Sequence, residues 1–372
     1  MAPGAPYRVM VVDDSAVIRG LLTRLLESDP SIAVAASAPN GEIALKTLAR
    51  EDFDVVILDI EMPVLDGMTA LPRMIELKPD TRVIMASTLT RKNAEISLRA
   101  LAAGAADYVT KPSSTGELNS TGDFKRELTE KIKALCSAKR QGTAGGSGRA
   151  PAAGLARVST APVRGAAARE IKLRPAPILP PHAIAIASST GGPPALLELF
   201  GGLPDGIKQP ILITQHMPAT FTTLLAEHIG RVSKMPCREG RNGEPVTGGT
   251  VYVAPGGYHM EIVRDADRNV IRLTEDPPEN YCRPSADPMF RSLSKIFGPR
   301  LLAVVLTGMG TDGRRGAETI IEAGGTVIAQ DEETSVVWGM PGAVATAGLC
   351  SAVLPLGEVT PYVRKLAMRS AA

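Results

Sequence analysis

The sequence predicts an α/β protein made of two doubly wound units that are joined by a linker. Three observations support this prediction. Apolar runs of strand length alternate with helical patterns through residues 7–135, and the same alternation returns from Ala183 to about Ala367. Residues 137–181 between them are rich in Ala, Gly and Pro and show neither pattern. The 372 residues, 44% of them hydrophobic, are enough for two buried cores.

The overall composition excludes several classes of function. The formal net charge is +2 and aromatic residues make up 3%, so neither charge nor stacking surface predicts a nucleic-acid partner. No apolar run reaches the ~20 residues that cross a bilayer, and the N-terminus lacks a secretory signal, so we expect no membrane insertion. Four cysteines are scattered without a CxxC pair, which indicates a reduced, cytoplasmic protein with structural cysteines. They are Cys136, Cys237, Cys282 and Cys350.

The N-terminal unit, residues 1–136, is predicted to be a (βα)5 fold with one five-stranded parallel sheet. Its apolar runs, which we assign to strands, are Val9–Val12, Val34–Ala36, Val55–Leu58, Val83–Ala86 and Tyr108–Val109. Helical patterns follow them at residues 16–27, 41–50, 68–77, 93–103 and 123–136. In such a sheet the helices cover both faces, and ligands bind at the carboxyl ends of the strands.

Carboxylates cluster at those strand ends. Asp13 and Asp14 close the first strand, and Asp59 closes the third. Three acidic side chains at one sheet edge repel one another unless a hard cation neutralises them. The residues therefore predict Mg²⁺ bound by oxygen ligands at this edge.

This unit resembles the receiver domain of two-component response regulators over its whole length. The residues that carry the resemblance are Asp13-Asp14, Asp59 with Met62-Pro63, Asp66-Gly67 and Lys111-Pro112. The resemblance implies that Asp59 is the phosphoryl acceptor. It also implies that Asp14, Asp59 and the main-chain carbonyl of Glu61 hold Mg²⁺, with Asp13 acting through water.

The same resemblance assigns three further residues to the phosphoryl switch. Lys111 is implied to pair with the phosphoryl group, and Ser87 to supply a hydroxyl that moves toward it. Tyr108 occupies the position of the aromatic residue that changes rotamer. Phosphorylation adds an anion around which the neighbouring loops reorder.

The predicted linker comprises residues 137–181. The composition of Gln141–Gly148 predicts flexible coil, and Arg174–Pro181 predicts a stiffer, extended segment. Between Arg149 and Arg174 the chain has a marked excess of basic residues. This charge serves either to solvate a mobile linker, which we expect, or to bind an acidic surface.

The C-terminal unit, residues 182–372, is predicted to be a doubly wound, mostly parallel α/β domain. The strands expected in its main sheet are Ala183–Ile186, Ile211–Thr214, Leu301–Thr307, Thr326–Ala329 and Val353–Leu354. Helices are expected at residues 193–200, 221–232 and 313–323. A small antiparallel excursion is expected from Thr250–Ala254, Met260–Val263 and Val270–Leu273.

The stretch Ala187–Gly192 joins the first of these strands to a helix that has proline in its first turn. A hydroxyl there lies at the carboxyl edge of the sheet, beside backbone N–H groups that can receive a developing negative charge. Ser or Thr at this position also has a simpler role as a helix cap. The stretch alone leaves both interpretations open.

Three strand ends of this unit carry a serine, a histidine and an aspartate. Ser189 follows the first strand, His216 follows the second, and Asp312 follows the strand Leu301–Thr307. Because parallel strands end at one edge, the three side chains are candidates for a triad, which is defined by geometry and not by sequence order. Each residue alone also has an ordinary structural interpretation, and the common Gly-x-Ser-x-Gly elbow is missing.

The C-terminal unit resembles the catalytic domain of chemotaxis protein-glutamate methylesterases. The segments that carry the resemblance are Ser189–Gly192, Ile213–Pro218, Val253–Gly256, Arg283–Asp287, Leu306–Gly313 and Gly339–Pro341. The resemblance covers essentially the whole chain, since the family has a receiver and a linker in front. It implies hydrolysis of glutamate γ-methyl esters, and deamidation of glutamines, on methyl-accepting chemotaxis receptors. The implied phosphodonor is the chemotaxis sensor histidine kinase.

The family resemblance also implies the parts played by single residues. Ser189 attacks the side-chain carbonyl, His216 passes the serine proton to methanol or ammonia, and Asp312 orients the imidazole. Backbone N–H groups of Thr190 and Met309 are candidates for the oxyanion hole. No cofactor is expected for hydrolysis. The unphosphorylated receiver is expected to cover the Ser189 edge, and phosphorylation to loosen that contact.

Several points stay open at this level. Ser188 duplicates the serine, although the Ser-Thr-Gly-Gly match favours Ser189, and His259 matches the family without a catalytic step. The alternative function is a catalytically silent, phosphorylation-dependent adaptor that binds receptors or signalling partners. A DNA-binding output domain and a dinucleotide enzyme are disfavoured, because the chain shows no basic recognition helix and no Gly-x-Gly-x-x-Gly turn at residues 189–194.

Overall fold

The first sheet of the computed structural model has five parallel strands, as the sequence predicts. The structure describes residues 5–88, 90–111, 118–144, 171–203 and 207–368. The strands run in the order β2-β1-β3-β4-β5, and every paired neighbour is parallel. In chain order the elements are β1 (Tyr7–Val12), α1 (Ala16–Glu27), β2 (Ile32–Ala38), α2 (Gly41–Leu48), β3 (Val55–Asp59), α3 (Gly67–Leu77), β4 (Arg82–Ser87), α4 (Arg91–Ala102), β5 (Asp107–Thr110) and α5 (Leu118–Ala144).

Short polar side chains begin the first four helices of this unit. Each caps its helix by accepting a hydrogen bond from a backbone N–H of the first turn, which satisfies a donor that the helix itself leaves unpaired. The four caps are Ser15, Asn40, Asp66 and Thr90. Since β3 is buried along its whole length, the helices on both faces cover the sheet as expected.

Helix α5 continues to Ala144, although the apolar pattern predicts its end at residue 136. The additional turns therefore belong to the segment assigned to the linker. Residues 138–141, with the sequence Ala-Lys-Arg-Gln, have high helix propensity, so the helix continues after its apolar face ends at Cys136. Most of the predicted coil after it, residues 145–170, lies outside the described residues. Arg174–Pro181 is described and has no regular secondary structure.

The second sheet has seven strands in the order β14-β13-β12-β6-β7-β9-β8, and all of its pairings are parallel. Its strands are β6 (Ala183–Ser188), β7 (Ile211–Gln215), β8 (Cys237–Glu239), β9 (Val251–Val253), β12 (Leu301–Val305), β13 (Thr326–Gln330) and β14 (Ala352–Leu354). The helices around it are α6 (Gly192–Gly201), α7 (Ala219–Ser233), α8 (Ala286–Phe297), α9 (Arg314–Glu322), α10 (Met340–Thr346) and α11 (Leu356–Ala367). The predicted doubly wound architecture is confirmed.

The antiparallel excursion is smaller than predicted. It consists of β10 (His259–Asp265) and β11 (Arg268–Thr274), which form a two-stranded hairpin. The prediction was wrong for Thr250–Ala254, because β9 joins the main sheet in parallel between β7 and β8. All three side chains of β9 are buried, and burial on both faces is typical of a strand inside a parallel sheet.

Three helices had no counterpart in the sequence analysis, namely α8, α10 and α11. Each of the three contains a proline, and proline weakens the helical pattern of a sequence. The prolines are Pro288, Pro341 and Pro361. Their apolar faces are nevertheless buried against the sheet. Among the helices that the structure describes, none combines the length and apolar character required to cross a membrane.

The two units pack against each other through β5, α4 and α5 of the first unit. The rings of Tyr108 in β5 and Phe221 in α7 are stacked, with centroids 4.3 Å apart and planes inclined by 10°. At the rim, Arg91 Nη2 of α4 lies 3.1 Å from Glu227 Oε1 of α7. The contact thus places the last strand of the first sheet against the helix that follows β7.

Candidate functional site

Strand order brings the predicted serine, histidine and aspartate to one place. Ser189 directly follows β6, His216 directly follows β7, and Asp312 lies in the loop between β12 and α9. Strand β6 pairs with β7 on one side and with β12 on the other, so the three strand ends are neighbours. The chain changes direction across the sheet at β6, which is where open α/β sheets form their ligand crevices.

His216 and Asp312 form a buried pair at this edge. The Nε2 atom of His216 lies 2.7 Å from Asp312 Oδ2, and the exposed fractions of the two side chains are 12% and 2%. The carboxylate also accepts hydrogen bonds from the neighbouring loop and from the first turn of α8. These donors are Asn280 Nδ2, Ser285 Oγ and the backbone N–H groups of Ala286, Asp287 and Gly313.

The hydrogen bonds decide the charge of Asp312. Burial raises the pKa of this carboxyl group, but hydrogen bonds from His216, Ser285 and Ala286 together hold the pKa at about 2. Asp312 is therefore an ionised carboxylate that fixes the orientation of the imidazole ring through Nε2. This leaves Nδ1 as the ring nitrogen that is available for proton transfer.

The Nδ1 atom of His216 faces a cysteine in this structure. Cys282 Sγ lies 3.3 Å from Nδ1, and among the described hydrogen bonds none joins the Ser189 hydroxyl to His216. Burial lowers the pKa of His216, but the charge of Cys282 and the hydrogen bond to Asp312 outweigh this and raise it to about 10. The structure thus assembles two of the three predicted triad residues and holds the third nearby, without a direct bond.

The two neighbouring serines have different surroundings. Ser188 is fully buried, and its hydroxyl donates to Gln215 Oε1 over 2.7 Å. Ser189 is partly exposed, while its backbone is fixed by a hydrogen bond from its N–H to Thr307 and by one from Gln215 Nε2 to its carbonyl. Ser188 therefore serves the packing of the turn, and Ser189 is the more exposed of the two serines.

The turn after Ser189 leaves backbone donors free. Gly191 has a φ of 76° and is the N-cap of α6, but that helix itself offers no free donor, because Gly192 N–H donates to the Ser189 carbonyl and the next two residues are prolines. The backbone N–H groups of Thr190 and Met309 form no hydrogen bond with any other described residue. Free backbone donors in the loops beside a serine are the arrangement that stabilises an oxyanion.

The sequence analysis missed Asn280 and named His259 without a role. Asn280 bridges the carboxylates of Asp287 and Asp312 through its Nδ2 atom, with both distances 2.9 Å. The ring of His259 is buried and spans the same loop, since Nδ1 accepts from Ser285 N–H and Nε2 lies 3.2 Å from the Pro277 carbonyl. His259 is thus a structural residue. The family motif Arg283–Asp287 indicated that this region is part of the site. A motif does not reveal which atoms form hydrogen bonds with one another.

The predicted phosphoryl-acceptor site lies at the carboxyl edge of the first sheet. Carboxylate oxygens of Asp13, Asp14 and Asp59 lie within 4.8 Å of one another. Lys111 Nζ lies 2.6 Å from both Asp13 Oδ2 and Asp59 Oδ1. Burial raises the pKa of Asp59, and Lys111 opposes this shift. Three convergent carboxylates fit a hard divalent cation such as Mg²⁺.

The other receiver residues lie around this cluster or beneath it. Ser87 at the end of β4 is buried, and its hydroxyl accepts from Ser97 Oγ over 3.2 Å. The carboxylate of Glu61 pairs with Lys92 over 3.0 Å. The role of the Glu61 main-chain carbonyl as a Mg²⁺ ligand stays a prediction. Tyr108 is buried against Phe221.

The receiver reaches the Ser189 edge directly. Thr190 Oγ1 donates to Asp107 Oδ2 of β5 over 2.6 Å, one residue from Ser189. Near Cys282, the Arg126 guanidinium of α5 lies 4.6 Å from the centre of the Tyr281 ring. The apolar cluster under α5 also includes Val337 of the C-terminal unit. Three loops of the candidate site are therefore in contact with the receiver.

Comparison with known proteins identifies both units. A family model described as CheB methylesterase matches residues 184–363, and one described as response regulator receiver domain matches residues 9–121. The protein-glutamate methylesterase/protein-glutamine glutaminase of the group 2 operon of Rhodospirillum centenum is 57% identical over 380 residues, covering 99% of this chain and 95% of that protein. The protein of the same name from Azospirillum brasilense is 56% identical over 380 residues, covering 100% of this chain and 95% of that protein.

A solved structure matches the C-terminal unit. The crystal structure of the Thermotoga maritima CheB methylesterase catalytic domain has 37% sequence identity and a TM-score of 0.49. The match covers 50% of this chain and 98% of that chain.

Proposed function

The chain belongs to the family of protein-glutamate methylesterases/protein-glutamine glutaminases, and on that premise we propose that Ser189, His216 and Asp312 carry its hydrolytic reaction. The reaction is demethylation of glutamate γ-methyl esters, with deamidation of glutamines, and a phosphorylated receiver regulates it. The proposed substrates are the cytoplasmic helices of chemotaxis receptors. The observation that supports the proposal most directly is the His216–Asp312 pair at the strand edge that also carries Ser189.

In the proposed mechanism, Ser189 Oγ attacks the side-chain carbonyl of the substrate while His216 Nδ1 takes the serine proton. Asp312 holds the ring through Nε2 and stabilises the imidazolium that forms. The free N–H groups of Thr190 and Met309 receive the oxyanion. Nδ1 then returns the proton to the departing methanol or ammonia, and water hydrolyses the acyl-enzyme. Because ester and amide pass through similar tetrahedral intermediates, one site serves both substrates.

The first unit supplies the switch in this proposal. Asp59 accepts the phosphoryl group from a sensor histidine kinase, and Lys111, now bound to Asp13 and Asp59, moves to pair with the new anion. Asp13, Asp14 and Asp59 would hold Mg²⁺, which would supply positive charge beside the transferred group. Ser87 at the end of β4 pairs with Thr110 of β5, the strand that also carries Tyr108 and Asp107, so we propose that β5 transmits the displacement of Ser87.

The contacts between the units support regulation by obstruction. Asp107, Arg126 and the stacked Tyr108 ring all touch segments of the C-terminal unit that carry or flank the candidate triad. A receptor helix that approaches Ser189 has to displace this surface. Phosphorylation therefore favours hydrolysis by weakening the contact between the units, which shifts the population toward the open arrangement.

Methanol release from receptor membranes that carry labelled methyl esters tests the catalytic residues. We expect Ser189→Ala to lower the rate by about 10³-fold or more, since it removes the nucleophile. The matched control is Ser188→Ala, which leaves the rate within a few-fold of wild type. It lowers the free energy of unfolding by about 1–3 kcal/mol, because Gln215 loses a buried hydrogen bond. Unchanged release in Ser189→Ala contradicts the proposal, and no release from wild type favours the silent adaptor.

The same assay tests the switch. A small acyl-phosphate donor with Mg²⁺ should accelerate release by the wild type but not by Asp59→Asn. Removal of Mg²⁺ by a chelator should abolish that acceleration and leave the donor-independent rate unchanged, since the hydrolysis residues include no metal ligand in this proposal. Acceleration that persists in Asp59→Asn would show that the phosphoryl acceptor lies elsewhere.

A further inference from the structure

The contact between Cys282 and His216 is not explained by the triad. Cys282 Sγ lies 3.3 Å from Nδ1, the nitrogen that has to receive the Ser189 proton. Together with the 2.7 Å contact between Nε2 and Asp312, the sulfur completes a thiol-imidazole-carboxylate row on the same base. Nucleophile, base and orienting group stand in this order in cysteine and serine hydrolases alike. Here the thiol occupies the place that the proposed mechanism assigns to the serine oxygen.

The loop that carries Cys282 holds the sulfur firmly in that place. Asn280 and Tyr281 both have positive φ, at 52° and 63°. Such a backbone conformation is uncommon for residues other than glycine, and it persists only where surrounding contacts hold it. The Asn280 side chain is anchored to Asp287 and Asp312, and Cys282 N–H donates to the Glu279 carbonyl. The same network that fixes Asp312 thereby aims Sγ at the imidazole.

We infer that Cys282 is a positioning residue for the hydrolase, whose sulfur holds the Nδ1 side of His216 until Ser189 and substrate displace it. The inference rests on the proposed function, since it gives His216 the role of base. In the resting arrangement Sγ occupies the Nδ1 side of the ring, while Nε2 is committed to Asp312. Ser189 can pass its proton to Nδ1 only when the sulfur gives way. Cys282 thus keeps the base out of use while the receiver covers the site.

The ionisable groups around His216 support this role. Cys282 and Asp312 are in contact with the two ring nitrogens, and Asp287 lies behind Asp312, joined to it by Asn280. Arg126 of the receiver reaches only the neighbouring Tyr281 ring. Both groups in contact with the ring favour the imidazolium, and together they raise the pKa of His216 to about 10 against the effect of burial. Removal of the sulfur therefore makes the neutral, basic form more abundant near neutral pH.

The first experiment measures the pH dependence of methyl-ester hydrolysis by full-length wild type, Cys282→Ala and Cys282→Ser. We expect the acidic limb of kcat/KM to move to lower pH by about one unit or more in Cys282→Ala, so that the rate near neutral pH rises. Cys282→Ser keeps a hydrogen-bonding group beside Nδ1 and is expected to shift the limb less. A merely structural cysteine would change the maximal rate but not the position of the limb, and an unchanged position in Cys282→Ala overturns the inference.

The second experiment does not depend on turnover, so it separates this inference from the proposed function. The imidazole resonance of His216, identified by its loss in His216→Gln, is titrated by NMR in wild type and in Cys282→Ala. A lower midpoint in Cys282→Ala supports the inference, and the same midpoint overturns it, whichever serine is the nucleophile. Methanol release that Ser189→Ala leaves unchanged would instead refute the proposed triad.

Alkylation by iodoacetamide gives a third readout with a control in the same chain. The sulfur of Cys282 displaces iodide and becomes bonded to the methylene carbon, and the thiol proton passes to the buffer. Cys237 is the control, because it is also partly exposed, but burial raises its pKa to about 12 and no described histidine faces it. Faster modification of Cys282 than of Cys237 at pH 7, lost in His216→Gln, supports the pairing. Equal rates, or a rate that His216→Gln does not change, overturn it.

Discussion

At the scale of single residues, neighbouring charges and hydrogen bonds outweigh burial in deciding the charges of His216 and Asp312. Burial disfavours both an ionised Asp312 and a protonated His216, yet the pKa of the first is lowered to about 2 and that of the second is raised to about 10. The two groups stabilise each other's charged forms, and Ser285, Ala286 and Cys282 add to this. The pair is therefore already arranged to stabilise the imidazolium that serine attack generates.

The first prediction concerns the pH dependence of stability. The pKa of His216 is higher in the folded protein than its ordinary value of 6.5, so its contribution to stability is complete below about pH 6.5 and is lost as the pH rises through about 10. Asp312 has a lowered pKa, so its contribution is present above about pH 3.8 and is lost as the pH falls through about 2. Denaturant unfolding should show a larger difference between wild type and His216→Gln at pH 5 than at pH 10.

The control for this prediction is His228→Gln. Burial lowers the pKa of His228, so its contribution changes below about pH 6.5 and stays constant between pH 7 and 10, where the gap for His216→Gln should close. A gap between wild type and His216→Gln that stays constant from pH 5 to pH 10 would contradict the paired charges.

At the scale of elements, the turn from β6 into α6 depends on close packing that excludes side chains. A Cβ atom on Gly191 would lie 2.6 Å from the side chain of Val336, and one on Gly192 would lie 2.0 Å from Gln215 Oε1. These glycines let the loop after β13 and the end of β7 approach the turn. The position of Ser189 thus depends on contacts with two other strand ends, and not on the turn alone.

The second prediction is that Gly191→Ala destabilises the protein and displaces Ser189. The positive φ and the clash with Val336 together should cost about 1–3 kcal/mol in the free energy of unfolding, with a loss of methanol release. Gly201→Ala is the matched control at the other end of α6, because a Cβ there meets nothing within 4 Å. That substitution should be neutral or stabilising by up to about 1 kcal/mol. Equal effects of the two changes would show that the turn tolerates a side chain.

At the scale of the whole molecule, the interface between the receiver and the C-terminal unit joins two sites that are far apart in sequence. Its centre contains a buried hydrogen bond between Asp107 and Thr190 and the stack of Tyr108 on Phe221. Its rim contains exposed charges, including Arg91 and Glu227. A rim ion pair contributes little to folding, and its reversal disturbs neither unit alone. The rim is therefore the best place to weaken the contact selectively.

The third prediction is that Arg91→Glu raises methanol release in the absence of a phosphodonor. The new carboxylate at position 91 repels Glu227. A change of up to about 1 kcal/mol in the free energy of the contact between the units corresponds to roughly a fivefold rise in the rate. The double substitution Arg91→Glu with Glu227→Arg should restore the low rate. A reversal of the Lys46–Glu42 pair, which lies within α2, is the control and should leave the rate unchanged. A rise in that control as well would point to a general charge effect.

Much of the fold follows from local sequence. Apolar runs such as Val55–Leu58 and Ala183–Ile186 are buried on both faces of their sheets, so their composition alone distinguishes them from surface strands. Caps such as Ser15 and Asp66 begin helices within a residue of the predicted start. The prediction was wrong at β9, which was assigned to the antiparallel excursion but pairs with β7 and β8 of the main sheet. A three-residue strand carries no sequence signal for a partner that lies almost 40 residues earlier in the chain.

The sequence by itself determined the chemistry that is available: Asp59 and Lys111 at one sheet edge, and Ser189, His216 and Asp312 at the strand ends of another. Only the tertiary structure decided how these groups are used. It buries Ser188 and places Cys282 Sγ in contact with His216 Nδ1, the nitrogen that has to receive the Ser189 proton. It also joins Asp107 to Thr190 by a hydrogen bond. The physical reason is that strand composition is a local property, whereas hydrogen-bond partners and charge depend on which distant side chains the packing brings within about 3 Å.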